Sequence, residues 1–132
     1  LLLWQSALIH TAGMFLSLVM ILNQLIVQVV KRLVNRPRPY INIQQALSVK
    51  PLKCRYSFPS GHTNAAFSIA FVLSSVFPVL TALFFILAAL VALSRIYLGY
   101  HYPTDVLVGF ASAYIAFIAI NHLITPLLRF VI

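Results

Sequence analysis

Between Ile9 and Val30 the chain carries no Lys, Arg, Asp or Glu, and further apolar runs follow it. At 1.5 Å per residue, about 20 such residues make a helix that crosses the hydrocarbon of a bilayer. Composition agrees, with 62% of the 132 residues hydrophobic, 8% charged and a mean hydropathy of +1.01, all outside the range of soluble domains. The expected fold is all-α, a polytopic transmembrane helical bundle in which residues 1–132 form a single membrane-embedded domain.

Four segments can be placed. The first runs from about Ile9 to Val30 and is expected to stop at Lys31-Arg32, because Asn35, Pro37 and Pro39 forbid its continuation. The second starts after His62 and ends near Pro78, short for a span. The third covers about Val79 to Tyr97, ending before Gly99. The fourth runs from Thr104 or Asp105 to about Leu128. No basic stretch precedes the first apolar run, so no cleavable leader is expected. Residues 32–61 form one long polar connection, too long for a bare tether.

Threading the chain back and forth across the bilayer puts the end of the first segment, the long loop, the start of the second and the third-to-fourth turn on one face. Lys31, Arg38, His62, Arg95, His101 and Asp105 are therefore expected to converge there. Nine Lys and Arg stand against one acid, Asp105, for a net charge of +8, and only Arg129 falls on the other face. Arg32, Lys50 and Lys53 read as headgroup-level charges that snorkel. His10 and His122 lie about 31 Å and about 25 Å down their helices and belong to the far side. The basic balance points to phosphate, since reading nucleic acid bases needs a polar, soluble scaffold. The lone Cys54 excludes an intrachain disulfide.

In YLGYHYPTD, residues 97–105, His101 and Asp105 stand four apart at a helix start. Asp105 can accept the Nδ1 hydrogen of His101 and leave Nε2 free as a nucleophile, or it can serve the helix N-terminus; spacing alone leaves both open. In FPSGHTN, residues 58–64, Ser60 and Gly61 at a helix start suit an anion, and His62 beside it can protonate a leaving oxygen. Pro-Ser-Gly taken alone reads equally as a polar cap. Lys31, Arg38 and Arg95 supply the positive charge that a phosphoryl group in flight requires. Gln24, Gln28 and Lys31 share one helix face and are expected to look into the bundle. No metal is expected: one Asp cannot furnish a magnesium or two-metal site, and His62, His101, Asp105 and Cys54 lack zinc spacing.

Lys31-x6-Arg38-Pro39, Pro59-Ser60-Gly61-His62 and Ser94-Arg95-x5-His101-x3-Asp105 together resemble the three signature motifs of the type 2 phosphatidic acid phosphatase superfamily. The resemblance implies a metal-independent phosphatase that acts on membrane lipids through a phosphohistidine and needs no cofactor. By position His101 resembles the nucleophile, Asp105 its orienting partner and His62 the general acid. Lys31, Arg38, Ser60, Gly61 and Arg95 resemble the phosphate cradle. Members usually have six spanning helices and four are readable here, so either N-terminal helices are missing or the chain is a compact member.

The expected partners are the bilayer and a lipid phosphate, with no nucleic acid; the oligomeric state is not readable. Undecaprenyl pyrophosphate, phosphatidylglycerol phosphate, phosphatidic acid and lipid A are the candidate substrates, the pyrophosphate placed first. Residues 40–57, with Tyr40, Ile41, Leu47, Leu52 and Tyr56, are expected to lie along the interface and gate entry. Counting basic residues points this face inward, but several are committed to substrate and related bacterial enzymes place the site outside. An outward-facing site in a bacterial plasma membrane is the expectation. The rival readings are a lipid phosphotransferase of the same family and a non-enzymatic anion-binding membrane protein. A vanadium haloperoxidase shares the constellation, but that class is soluble.

Overall fold

The computed structural model describes residues 2–42 and 54–129, with side-chain surroundings for 10–41 and 54–123. The described residues are helical apart from the segments that join the helices, and one isolated bridge pairs Pro37 with Tyr56. Helix α1 spans Leu2–Val34, α2 is the single turn Pro39–Asn42, α3 spans Gly61–Val76, α4 Thr81–Tyr97 and α5 Pro103–Arg129.

The four long helices fall where hydropathy places them, and their ends have local causes. α1 runs one turn past Val30, so Lys31 and Arg32 form its last turn instead of lying beyond it. Cations suit that position, where unpaired carbonyls carry partial negative charge. The helix closes at Asn35, whose φ of 50° is left-handed, and Pro37 and Pro39 prevent resumption. Pro78 stops α3 and opens a 3-10 turn, Pro78–Leu80, that leads into α4.

His10–Val34, Pro78–Tyr97 and Pro103–Leu123 are each long and apolar enough to cross a membrane. α3, with 16 residues, is shorter, yet it sits at the centre and packs against α1, α4 and α5. Its apolar packing is aromatic: Phe67 and Phe71 meet Phe85 of α4 and Phe110 of α5, with ring centroids 4.8 to 6.1 Å apart. Lower down, Val19, Val72 and Ala116 join α1, α3 and α5.

A polar ladder crosses this body. Asn64 Nδ2 donates to Asn23 Oδ1 at 3.0 Å and to Ser112 Oγ at 2.8 Å, and Asn23 Nδ2 donates to Ser68 Oγ at 2.9 Å. The inward face of α1 is thus Val19, Asn23, Val27 and Lys31, all buried, while Gln28 is exposed. The expected Gln24-Gln28 stripe is corrected by one residue: Asn23 has α3 partners that satisfy its amide, and a rotation of one position carries Gln28 outward.

α3 and α5 come into close approach at Gly109. A methyl group there would stand 2.7 Å from the Ser60 carbonyl oxygen, a backbone atom. Glycine permits that contact, which brings the start of α3 against the first turns of α5.

Candidate active site

The loops at one end of the bundle are stitched to one another by backbone hydrogen bonds. Ser57 N–H donates to the Arg36 carbonyl at 2.8 Å, and Ser60 N–H to the Asp105 carbonyl at 3.0 Å. Tyr40 N–H donates to Gly99 O at 3.2 Å. The turn after α4 uses Gly99 at φ 67°, and the N–H groups of Tyr100 and His101 both reach back to the Arg95 carbonyl. Three stretches distant in sequence are thereby joined at one end.

Arg38 lies at their meeting point, 3% exposed. Its Nε donates to Cys54 O at 2.8 Å and its Nη1 to Tyr100 O at 3.0 Å, so the guanidinium is fixed by backbone. The same Nη1 stands 3.4 Å from His101 Nε2. A guanidinium has donors only, so the nitrogen facing it is the one with the lone pair, and the ring hydrogen belongs on Nδ1. Nδ1 faces Asp105, with Oδ2 at 3.7 Å, an ion-pair separation longer than a hydrogen bond.

Asp105 is fully buried. Its Oδ2 accepts from Tyr102 N–H at 2.8 Å and its Oδ1 from Arg36 Nη1 at 2.8 Å. Tyr102 is the residue before α5, Pro103 its first and Asp105 its third, which is the reciprocal half of a capping box with proline in its favoured place. Of the two roles that spacing leaves open for Asp105, the cap of α5 is formed, while His101 Nδ1 has the Asp105 carboxylate behind it at ion-pair distance without a hydrogen bond between them. Burial pushes the His101 imidazole below the ordinary histidine range; Asp105 draws it part of the way back and Arg38 adds to the drop.

His62 occupies the first turn of α3, is exposed, and lies within electrostatic reach of Arg95, His101, Lys31 and Arg38. Lys31 is buried at the end of α1. Arg95 lies in the last turn of α4, with a buried Nε that has no hydrogen-bond partner. The hydroxyl of Ser60 is fully buried and engaged as the α3 N-cap, 2.8 Å from Thr63 Oγ1 and accepting from Thr63 N–H at 3.4 Å. A methyl on Gly61 would meet only Val27 Cγ1 at 3.5 Å, an ordinary contact, so packing within the chain does not demand glycine there. Leu47 and Leu52 of the expected gating stretch, with Lys50 and Lys53, lie outside the described residues. Tyr40 packs edge-on against Tyr100 at 6.1 Å, and Ile41 is exposed.

Two residues escape sequence reasoning. Arg36 pairs with Asp105, donates to Thr104 Oγ1 at 2.7 Å and covers the Tyr102 ring at 3.9 Å. Its signal was the doubled Arg-Pro of RPRP, residues 36–39, which spacing could not assign. Gly109 left a fainter trace, a glycine inside an apolar helix, four residues after Asp105 and so on its face. Among the described residues no three His, Cys, Asp or Glu cluster as a metal site would need.

The chain is similar to known membrane phosphatases. The chain is 33% identical over 131 residues to phosphatidylglycerophosphatase B of Bacillus subtilis, covering 89% of this chain and 61% of that protein. It is 32% identical over 113 residues to lipid A 1-phosphatase of Rhizobium johnstonii, covering 81% and 46%. The crystal structure of Aquifex aeolicus LpxE matches with a TM-score of 0.74 at 38% identity, over 82% of this chain and 66% of that one. The chain thus spans about half to three-fifths of the curated relatives' length. The PAP2 superfamily model matches residues 12–129. On that match, and on the helical membrane fold beneath it, the chain belongs to the PAP2 superfamily.

Proposed function

We propose that residues 1–132 form the catalytic membrane domain of a metal-independent phosphatase that removes phosphate from a membrane lipid phosphate or pyrophosphate through a phosphohistidine at His101. One observation carries this reading: Arg38 faces the lone-pair nitrogen of His101 at 3.4 Å, so the group that would bind the anion and the atom that would attack it share one point in space. An entering phosphate would sit beside both groups and take the place of their contact, with Lys31 and the free Nε of Arg95 adding charge.

Nε2 forms a bond to phosphorus as the bond to the lipid oxygen breaks, and His62 gives that oxygen a proton. As charge builds on the ring, Nδ1–H closes on Asp105. Water then attacks phosphorus and gives a proton to His62 as the bond from phosphorus to Nε2 breaks, which releases inorganic phosphate, leaves His101 neutral and returns His62 to its protonated form. Ser60 contributes through the capped start of α3, whose N–H groups with that of Gly61 suit an anion. Substrate class is supported by the relatives, named for lipid A and phosphatidylglycerol phosphate; undecaprenyl pyrophosphate and phosphatidic acid complete the set to be tested.

The site is proposed to face outward from a bacterial plasma membrane. Cys54 is exposed beside Arg38 and is the sole cysteine. A membrane-impermeant maleimide should label it on whole cells, and labelling only after lysis would reverse the orientation. The function is tested by phosphate release from the four lipids in detergent with and without EDTA. Release that survives chelation supports the reading; loss restored by magnesium, or no release from any of them, contradicts it.

A further inference from the structure

RPRP, residues 36–39, sends its two arginines to the two members of one pair. Arg38 Nη1 faces His101 Nε2 at 3.4 Å, and Arg36 Nη1 donates to Asp105 Oδ1 at 2.8 Å. The phosphoryl chemistry at Nε2 uses Arg38 and leaves Arg36 without a part. Yet Arg36 is tied at both ends. Its carbonyl accepts from Ser57 N–H at 2.8 Å, and Ser57 Oγ–H reaches the Arg36 and Pro37 carbonyls at 3.3 and 3.2 Å, so the segment leading into FPSGH fixes its backbone. Its Nη1 also donates to Thr104 Oγ1 at 2.7 Å.

Three contacts close a circuit around the carboxylate. Arg36 Nη1 holds Oδ1, Tyr102 N–H holds Oδ2 at 2.8 Å, and the Arg36 guanidinium lies 3.9 Å over the Tyr102 ring. Held at each oxygen by a donor from a different segment, the carboxylate cannot turn about its Cβ–Cγ bond without breaking one of them. The cap of α5 is complete with Tyr102 N–H alone. The arginine on the other oxygen therefore acts on where the carboxylate points and on how much of its charge the neighbouring ring feels. That ring presents a buried Nδ1 with no hydrogen-bond partner, 3.7 Å from Oδ2.

We infer that Arg36 is a positioning residue for the nucleophile: by holding Oδ1 it keeps Oδ2 turned toward His101 Nδ1, and it offsets part of the carboxylate's charge. The inference rests on the phosphatase reading and adds to it a residue that never touches the phosphoryl group, since Arg36 lies behind Asp105 on the Nδ1 side of the ring while phosphate meets Nε2. At rest the shared carboxylate leaves the ring neutral, with its lone pair on Nε2. When phosphorus bonds to Nε2, the charge on the ring draws Nδ1–H onto an oxygen already aimed at it.

The test follows phosphate release by the full chain in detergent, from whichever of the four lipids the wild-type chain hydrolyses fastest. Arg36→Ala should lower kcat by about 10²-fold, the cost of a small misplacement, with KM held within about twofold because no substrate contact is lost. The acid limb of kcat/KM should move upward. Without Arg36 the Asp105 charge acts on His101 unopposed, the ring takes a proton at higher pH, and the neutral nucleophile is lost sooner as pH falls. The other groups facing the ring, Arg38, His62 and the Ser57 carbonyl, are unaltered, as are Tyr102 N–H, Ser57 and Lys31 around Asp105. Arg36→Lys keeps the charge and loses the planar fork, so its limb should stay in place while kcat falls less. The Arg36 side chain is 35% exposed, so methylguanidinium can reach the space that Arg36→Ala leaves and should recover part of the lost kcat, whereas tetramethylammonium should not. Arg55→Gln, which removes an exposed cation of the same loop, should change neither kcat nor the limb.

Unmoved kcat in Arg36→Ala overturns the inference, as does a raised KM at unchanged kcat, which would make Arg36 a substrate ligand. A loss of kcat with the limb in place and no recovery by methylguanidinium would reduce Arg36 to a structural tie and overturns it too. Should Arg36→Ala not fold, Arg36→Gln and Arg36→Lys decide: the limb rises in the first alone, and a common limb contradicts the inference. If the wild-type chain releases phosphate from none of the four lipids, it is the phosphatase reading that fails.

Discussion

At the loop end of the bundle Arg36, Arg38, Ser57, Ser60 and Asp105 are held by directional bonds of 2.7 to 3.3 Å, most of them to backbone. Along the helices beneath, α3 is held by interleaved aromatic rings and by one Asn-Ser ladder. The two regions do different work. Hydrogen bonds fix angles and separations to a few tenths of an ångström, as a nucleophile aimed at phosphorus needs. Ring packing in lipid fixes which helices are neighbours and tolerates small shifts. Damage to the upper layer should therefore appear in turnover before stability, and damage to the body in stability before turnover.

Gly109 is the sharpest way to break that division, because it lies where the layers touch. Gly109→Ala pushes a methyl into the Ser60 carbonyl and has nowhere to go without moving the start of α3. A drop in kcat of about 10²-fold is expected from a displacement on the order of 1 Å, with thermal unfolding lowered only modestly. Unchanged kcat would mean that the α3 terminus does not position the chemistry.

Asn64→Ala addresses the body alone. It removes donors to Asn23 and Ser112 and should cost about 1 kcal/mol in a detergent unfolding assay, the scale of interhelical hydrogen bonds in membrane proteins. Turnover per folded molecule should change less than for Gly109→Ala. A larger kinetic than thermodynamic effect would show that the ladder reaches the site.

The smallest expected effect concerns pH. Protonation removes the Nε2 lone pair, and burial holds His101 below the ordinary range. It therefore stays neutral as pH falls through that range, and the acid limb of kcat/KM should lie below the usual histidine value of about 6.5. Arg38→Gln removes one cause of the drop and should move that limb upward; an acid limb already above 6.5 in wild type would contradict the assignment of a neutral nucleophile.

Much of this was legible in the residues themselves. Hydropathy and proline placed four helices, because membrane spans announce themselves by length and Pro37, Pro39 and Pro78 stand where α1 and α3 stop. The meeting of Arg38, His101 and Asp105 followed from threading those helices. Finer detail depended on helix phase and partners. Asn23 and Gln24 are both polar and adjacent, and only the presence of Ser68 and Asn64 on α3 decides which one turns inward. Ser60 shows its part as the α3 cap only when Thr63 is seen beside it. The Arg36-Asp105 pair joins residues 69 apart, and no local pattern encodes it. Leu47 and Leu52 fall in the stretch beyond the described residues.

The central claim is that a phosphoryl group rests for part of each cycle on His101. Rapid quenching of the chain with a radiolabelled lipid phosphate should trap acid-labile, base-stable label on the peptide that contains His101, and His101→Ala should carry none while still folding. Label found on His62 or on Ser60, or turnover of lipid phosphate by His101→Ala at a rate near that of the unaltered chain, would contradict it.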